Sequence, residues 1–114
     1  VDEMKQKEFY SHLKETGLPV AYGMFLDVPP LPYIVYSFTS SDDAMGDNQN
    51  YETISNYQVE LSTSKKDLAS EEAIESKLKE IRTPYMKSEV QTESGKIYKV
   101  TYEVQIEGEK NGKE

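Results

Sequence analysis

The sequence contains no cysteine and no tryptophan, and only three of its 114 residues are phenylalanine. Without cysteine there is no disulfide, no thiolate nucleophile and no thiolate metal ligand. Positive charge is also scarce. Thirteen Lys and Arg stand against 21 Asp and Glu, a net charge of −8. Phosphate backbones are held by clustered Lys and Arg, so sequence-specific nucleic-acid binding is not expected. An anionic membrane surface is disfavoured for the same reason. No apolar run approaches the roughly 20 residues that cross a bilayer. The opening residues, Val1-Asp2-Glu3-Met4-Lys5, are polar and do not read as a signal peptide.

What the chain does have is tyrosine, nine of them. A tyrosine can bury its ring and keep its hydroxyl wet. With 36% apolar and 30% charged residues, the expected core is thin and its boundary wide and amphipathic, as in one sheet covered on one face. The length fits a single domain over residues 1–106, followed by a polar tail over 107–114 that is expected to be disordered.

The periodicities predict an α+β domain in the order α-β-β-β-α-β-β. A first helix over residues 3–16 carries Phe9 and Leu13 four apart, and Gly17 and Pro19 stop it. A strand over 20–25 leads to Val28-Pro29-Pro30-Leu31-Pro32, which must be a connection because prolines cannot feed a sheet ladder. Tyr33 to Phe38 is the most apolar run and predicts a well-buried strand. A third strand over 51–63 places Tyr57, Val59 and Leu61 on one face, and a second helix over 67–82 carries Ile74, Leu78 and Ile81. A hairpin over 85–92 and 96–106 closes the domain. In its last strand Tyr98, Val100, Tyr102, Val104 and Ile106 alternate with Lys99, Thr101, Glu103 and Gln105. The expected fold is a five-stranded, mainly antiparallel sheet with both helices on one face.

The search for chemistry is mostly negative. The one histidine, His12, stands beside Leu13 on the first helix, and Ser11 next to it is only a sequence neighbour, so no nucleophile–base arrangement is read there. Between the second and third strands, residues 40–50 form a long polar segment without a basic residue. Its Asp42, Asp43, Asp47 and Asn48 offer hard oxygens of the kind Ca²⁺ prefers. Counted from Asp42, however, the third and fifth positions of an EF-hand loop fall on Ala44 and Gly46, so the pattern fails. No phosphate-binding glycine motif occurs. The expectation is no enzyme, no cofactor and no metal. A long polar loop of this kind is often functional or disordered.

One resemblance gives these negatives a direction. Thr16-Gly17-Leu18-Pro19-Val20-Ala21-Tyr22-Gly23 resembles the opening of the small tail-completion, or tail terminator, proteins of siphophages and prophages. Pro32-Tyr33-Ile34-Val35-Tyr36, the acidic segment with Asp47-Asn48, Asn56-Tyr57-Gln58-Val59-Glu60-Leu61, Lys65-Lys66-Asp67 and the Tyr-rich hairpin are similar to that family in the same order. The Val28-Pro29-Pro30-Leu31 spacer and the tail depart from it. The resemblance implies a structural protein that caps the tail tube and joins it to the head connector. It also implies a homo-oligomeric ring, hexameric when assembled, at the tail–head junction of the virion. In that reading residues 40–50 are a contact loop that orders on assembly, with Asp42, Asp43, Met45, Asp47, Asn48 and Asn50 as its candidate contact residues. Before assembly the chain would be a monomer in the host cytoplasm. The competing expectation is a small acidic binding module or inhibitor that takes a basic partner.

Overall fold

The computed structural model describes residues 6–43, 52–92 and 96–109. The elements run α1 (Gln6–Lys14), β1 (Val20–Tyr22), β2 (Tyr33–Asp43), β3 (Glu52–Thr63), α2 (Leu68–Glu80), β4 (Tyr85–Gln91) and β5 (Tyr98–Glu109). They form one five-stranded sheet in the order β1-β2-β3-β5-β4. Among the described strands β1 and β2 pair parallel and the other three pairs are antiparallel. The predicted α+β order and fold class are the observed ones.

Period-two alternation builds the centre. β3 and β5 pair antiparallel from Glu52 opposite Glu109 to Thr63 opposite Tyr98. In this register Val59 meets Tyr102, Leu61 meets Val100 and Tyr57 meets Val104, all on one face. Ile34 and Tyr36 of β2 extend that face. The helices close it, with Phe9 and Leu13 from α1 and Ile74 and Leu78 from α2 fully buried against the strands. The Phe9 ring stands edge-on to Tyr36, 5.7 Å between centroids, the favoured aromatic geometry. Among the described residues no helix covers the opposite face, where Gln58, Glu60, Lys99, Thr101 and Glu103 alternate with the core residues.

The boundaries of several elements shift for local reasons. The strand expected over 20–25 stops at Tyr22. Gly23 takes φ 81°, and the Met24 N–H donates to the Tyr22 carbonyl at 2.9 Å. That is a γ-turn of the positive-φ kind, which glycine accommodates. The polar segment expected from residue 40 begins as strand, because β2 continues to Asp43 opposite Thr53. A register shift between Phe38 and Ser40 lets it do so. Likewise β5 runs through Glu109 opposite Glu52, past the expected start of the tail.

The end of α2 is held by geometry that its sequence does not favour. Arg82 sits at φ 59°, its N–H donates to the Lys79 carbonyl at 3.0 Å, and the Thr83 N–H donates to Leu78 at 2.9 Å. This is a Schellman ending with a side chain where glycine is usual. Arg82→Gly is therefore expected to raise stability by about 1 kcal/mol, read as a higher urea midpoint with an unchanged slope.

Candidate functional site

The motif from Thr16 to Gly23 has a structural role at every polar position. Thr16 Oγ1 donates to the Leu13 carbonyl at 2.7 Å and accepts from the Leu18 N–H at 3.3 Å. Gly17, at φ 87°, ends the helix. The Pro19 carbonyl then accepts from the Ile34 N–H at 2.8 Å, which starts the parallel pairing of Val20, Ala21 and Tyr22 with β2. Parallel strands require the chain to travel back before pairing. The proline-rich connection over residues 23–32 makes that return.

This connection is the most apolar exposed surface described. Phe25 folds back onto Tyr33, edge-on at 5.4 Å, which leaves its neighbours outward. Leu26 is 96% exposed, and Met24 and Val28 are also largely exposed. Beside it lies an aromatic corner. Tyr22 stands edge-on to Tyr36 at 5.1 Å, and Phe38 edge-on to Tyr57 at 5.7 Å. The Tyr22 hydroxyl accepts from the Phe38 N–H at 3.2 Å, satisfying backbone at the bulge. Burial, with the neighbouring tyrosines, pushes the Tyr36 hydroxyl up to about 12, and burial raises Tyr57 as well. Tyr10, Tyr22 and Phe38 keep part of their rings in solvent. Apolar surface concentrated in this way marks a contact site more often than scattered residues do.

At the other edge of the sheet, β4 is exposed from Met86 to Gln91. It is tied to α2 by charge. Glu71, whose side chain is 2% exposed, receives Lys87 Nζ at 2.9 Å and Lys66 Nζ at 3.0 Å. Its Oε2 also lies 3.0 Å from Lys66 but has no hydrogen bond of good geometry. Lys87 reaches Glu75 at 2.7 Å, and Glu75 accepts from the Tyr102 hydroxyl at 2.8 Å. Lys66 also bridges to Glu89 at 2.6 Å, and Glu89 accepts from Tyr98. Hydrogen bonds to Glu89 and Glu71 raise the Lys66 ammonium above its ordinary value, and those to Glu75 and Glu71 raise Lys87. Lys66 and then Tyr98 hold Glu89 low. For Glu75 burial pushes upward, but the hydrogen bonds from Lys87 and Tyr102 prevail and the carboxyl stays below its ordinary range.

The expected contact residues are reached only in part. The backbones of Asp42 and Asp43 lie in β2, opposite Ile54 and Thr53. Met45, Asp47, Asn48 and Asn50 fall outside the described residues. His12 lies on α1 with Nδ1 3.9 Å from a Glu15 carboxylate oxygen. Among the described residues no group of three or more His, Asp or Glu could hold a metal ion, and no helix is long and apolar enough to cross a membrane. The Lys66–Glu71–Lys87 cluster escapes sequence reading because its members are joined by the fold, not by spacing. Glu71 reads in sequence as an ordinary acidic residue at a helix start.

No family model matches this sequence, and no curated protein matches it. Solved structures do share the fold. One, whose name carries no functional description, superposes on 96% of this chain and 92% of its own at a TM-score of 0.60, with 19% identity. Another is a chain from the virion of a native gene transfer agent particle. It matches at a TM-score of 0.51 over 84% of both chains, with 13% identity. At these identities the likeness is one of fold.

Two outcomes follow from the charge network. Glu71→Ala, which leaves two lysines facing a buried void, is expected to cost about 2 kcal/mol, measured by urea unfolding. The network's share of stability should also be level between 4.5, the ordinary value of its carboxyls, and 10.0, that of Tyr98 and Tyr102, which are raised in the fold. Glu75 and Glu89 are lowered in the fold, so their share is present above 4.5 and lost in acid. Lys66 and Lys87 are raised, so theirs is present below 10.5 and lost in base. Glu75→Gln should flatten the acid limb of a stability profile.

Proposed function

We propose that this chain is a virion structural protein that caps a tail tube and joins it to the head connector, in the manner of a tail terminator. The observation that carries the reading is the fold shared with a chain of the gene transfer agent virion over 84% of both lengths. The ordered motifs from Thr16 to Ile106 point to the same class, and their structural roles fit a scaffold that presents surfaces. The exposed connection with Leu26 at its tip gives an apolar contact element on an otherwise charged chain. In this reading the role is non-catalytic and the partners are further copies of the chain, the tail-tube protein and a head-completion or connector protein. Ring closure joins two different patches of neighbouring subunits.

The test is electron microscopy of purified protein mixed with tail tubes that lack a terminator. The expected result is new density at one tube end only. No co-sedimentation with tubes, together with absence of the protein from purified virions, would contradict the proposal. Leu26→Asp is expected to abolish tube binding while leaving the thermal midpoint within about 1 °C, since the side chain makes almost no contact within the fold.

A further inference from the structure

The free edge of β4 has a chemistry that fits itself. Along Met86-Lys87-Ser88-Glu89-Val90 the order is apolar, basic, Ser, acidic, apolar. Read backward, the pattern repeats with the charges exchanged. We infer that β4 pairs antiparallel with β4 of a second copy, in a register centred on Ser88. In that register Lys87 lies opposite Glu89 of the other copy, and Met86 lies opposite its Val90. Each pairing occurs twice about the two-fold axis.

Three observations support this choice of occupant. The first is charge complementarity. Directly opposed opposite charges stabilise a strand pair, and like charges destabilise it. Shifting the register by two residues toward either end removes the mutual Lys87–Glu89 pairing. The second is exposure. Met86 is 72% and Val90 57% exposed, on the face away from the helices. Two copies would merge these side chains into one apolar strip around the Ser88 pair. The third is the asymmetry of the sheet. Its other edge, β1, offers three residues between Pro19 and the Gly23 turn, too short to serve as a template. By contrast β4 runs seven residues without proline, and every second residue turns its backbone N–H and C=O away from β5.

Lys87 and Glu89 already belong to the network with Glu71, Glu75 and Lys66. That network holds both side chains on the helix face, where the partner strand would bring the opposite charge. The pairing joins the two networks into one and extends the sheet to ten strands. A two-fold contact closes at two copies, so it differs from the head-to-tail contact of a ring. It stands independently of the virion reading and replaces the expected solution monomer with a weak dimer. A strand pair of this length covers less area than a typical stable interface, and the net charge of −8 on each copy opposes it.

Cysteine cross-linking tests the register directly, because the chain has no cysteine of its own. Under a mild oxidant at about 0.15 M salt, where surface repulsion is screened, Ser88→Cys should form a disulfide-linked dimer with itself. Met86→Cys and Val90→Cys should each link poorly alone and well when mixed. Their positions are opposed only between unlike variants, and a disulfide needs Cα atoms within about 7 Å. Ser76→Cys, exposed on α2, sets the background rate of random collision. Sedimentation of the unmodified chain should shift from 13.1 kDa toward twice that mass as concentration rises. Met86→Lys should abolish the shift with no change in thermal midpoint. Three results would overturn the inference. One is Ser88→Cys linking no faster than Ser76→Cys. Another is Met86→Cys linking alone as fast as in the mixture. The last is a monomer at every concentration up to about 1 mM.

Discussion

The structure depends on a sheet that has only one face to bury. A chain with 36% apolar residues and no tryptophan can supply one layer of core side chains. That layer is Ile34, Tyr36, Val59, Leu61, Val100, Tyr102 and Val104 on the strands, closed by Phe9, Leu13, Ile74 and Leu78. Each of these is within 2% of complete burial, and this contiguous cluster offsets the entropy of ordering the chain. The tyrosines resolve the boundary. Their rings fill the layer's rim while hydroxyls such as those of Tyr102 and Tyr22 find polar partners.

One-sided burial leaves both sheet edges to be managed by other means, and the two are managed differently. The β1 edge is kept short by a proline before it and a glycine turn after it, and the chain leaves as an apolar connection. The β4 edge has little core contact beyond Tyr85, and ion pairs to Glu71, Glu75 and Lys66 hold it against α2. A buried carboxylate is costly unless charges and hydrogen bonds compensate it. Here Lys66, just before α2, and Lys87 of β4 do so, which ties the strand to the helix. The surfaces that remain, the connection at one edge and the free ladder at the other, are those available for contact with other chains.

Much of this was legible in the sequence, and the parts that were share one property. The β5 alternation, the α2 stripe and the proline-rich connection are local patterns, and each maps directly onto its element. What was not legible required contacts between distant residues. The bulge after Phe38 that carries β2 on to Asp43 depends on pairing with β3. The early end of β1 at Tyr22 depends on a turn at Gly23, where the residue type permits the conformation without requiring it. Exposure of Met86 and Val90 was hidden because period two reveals that a strand has two faces, not which one is covered. The contact role of residues 40–50 rests on polar composition and a family resemblance, neither of which places a side chain, and only Asp42 and Asp43 of its named residues lie where the fold is described.

In the proposed role the connection after β1 docks onto the tube and the β3–β5 core is its rigid support. Amide hydrogen exchange of the chain, free and bound to tail tubes, tests this most directly. The expected result is slow exchange in β3 and β5 in both states, with protection gained across residues 23–32 only on binding. Unchanged exchange in that connection while the protein is tube-bound would contradict it.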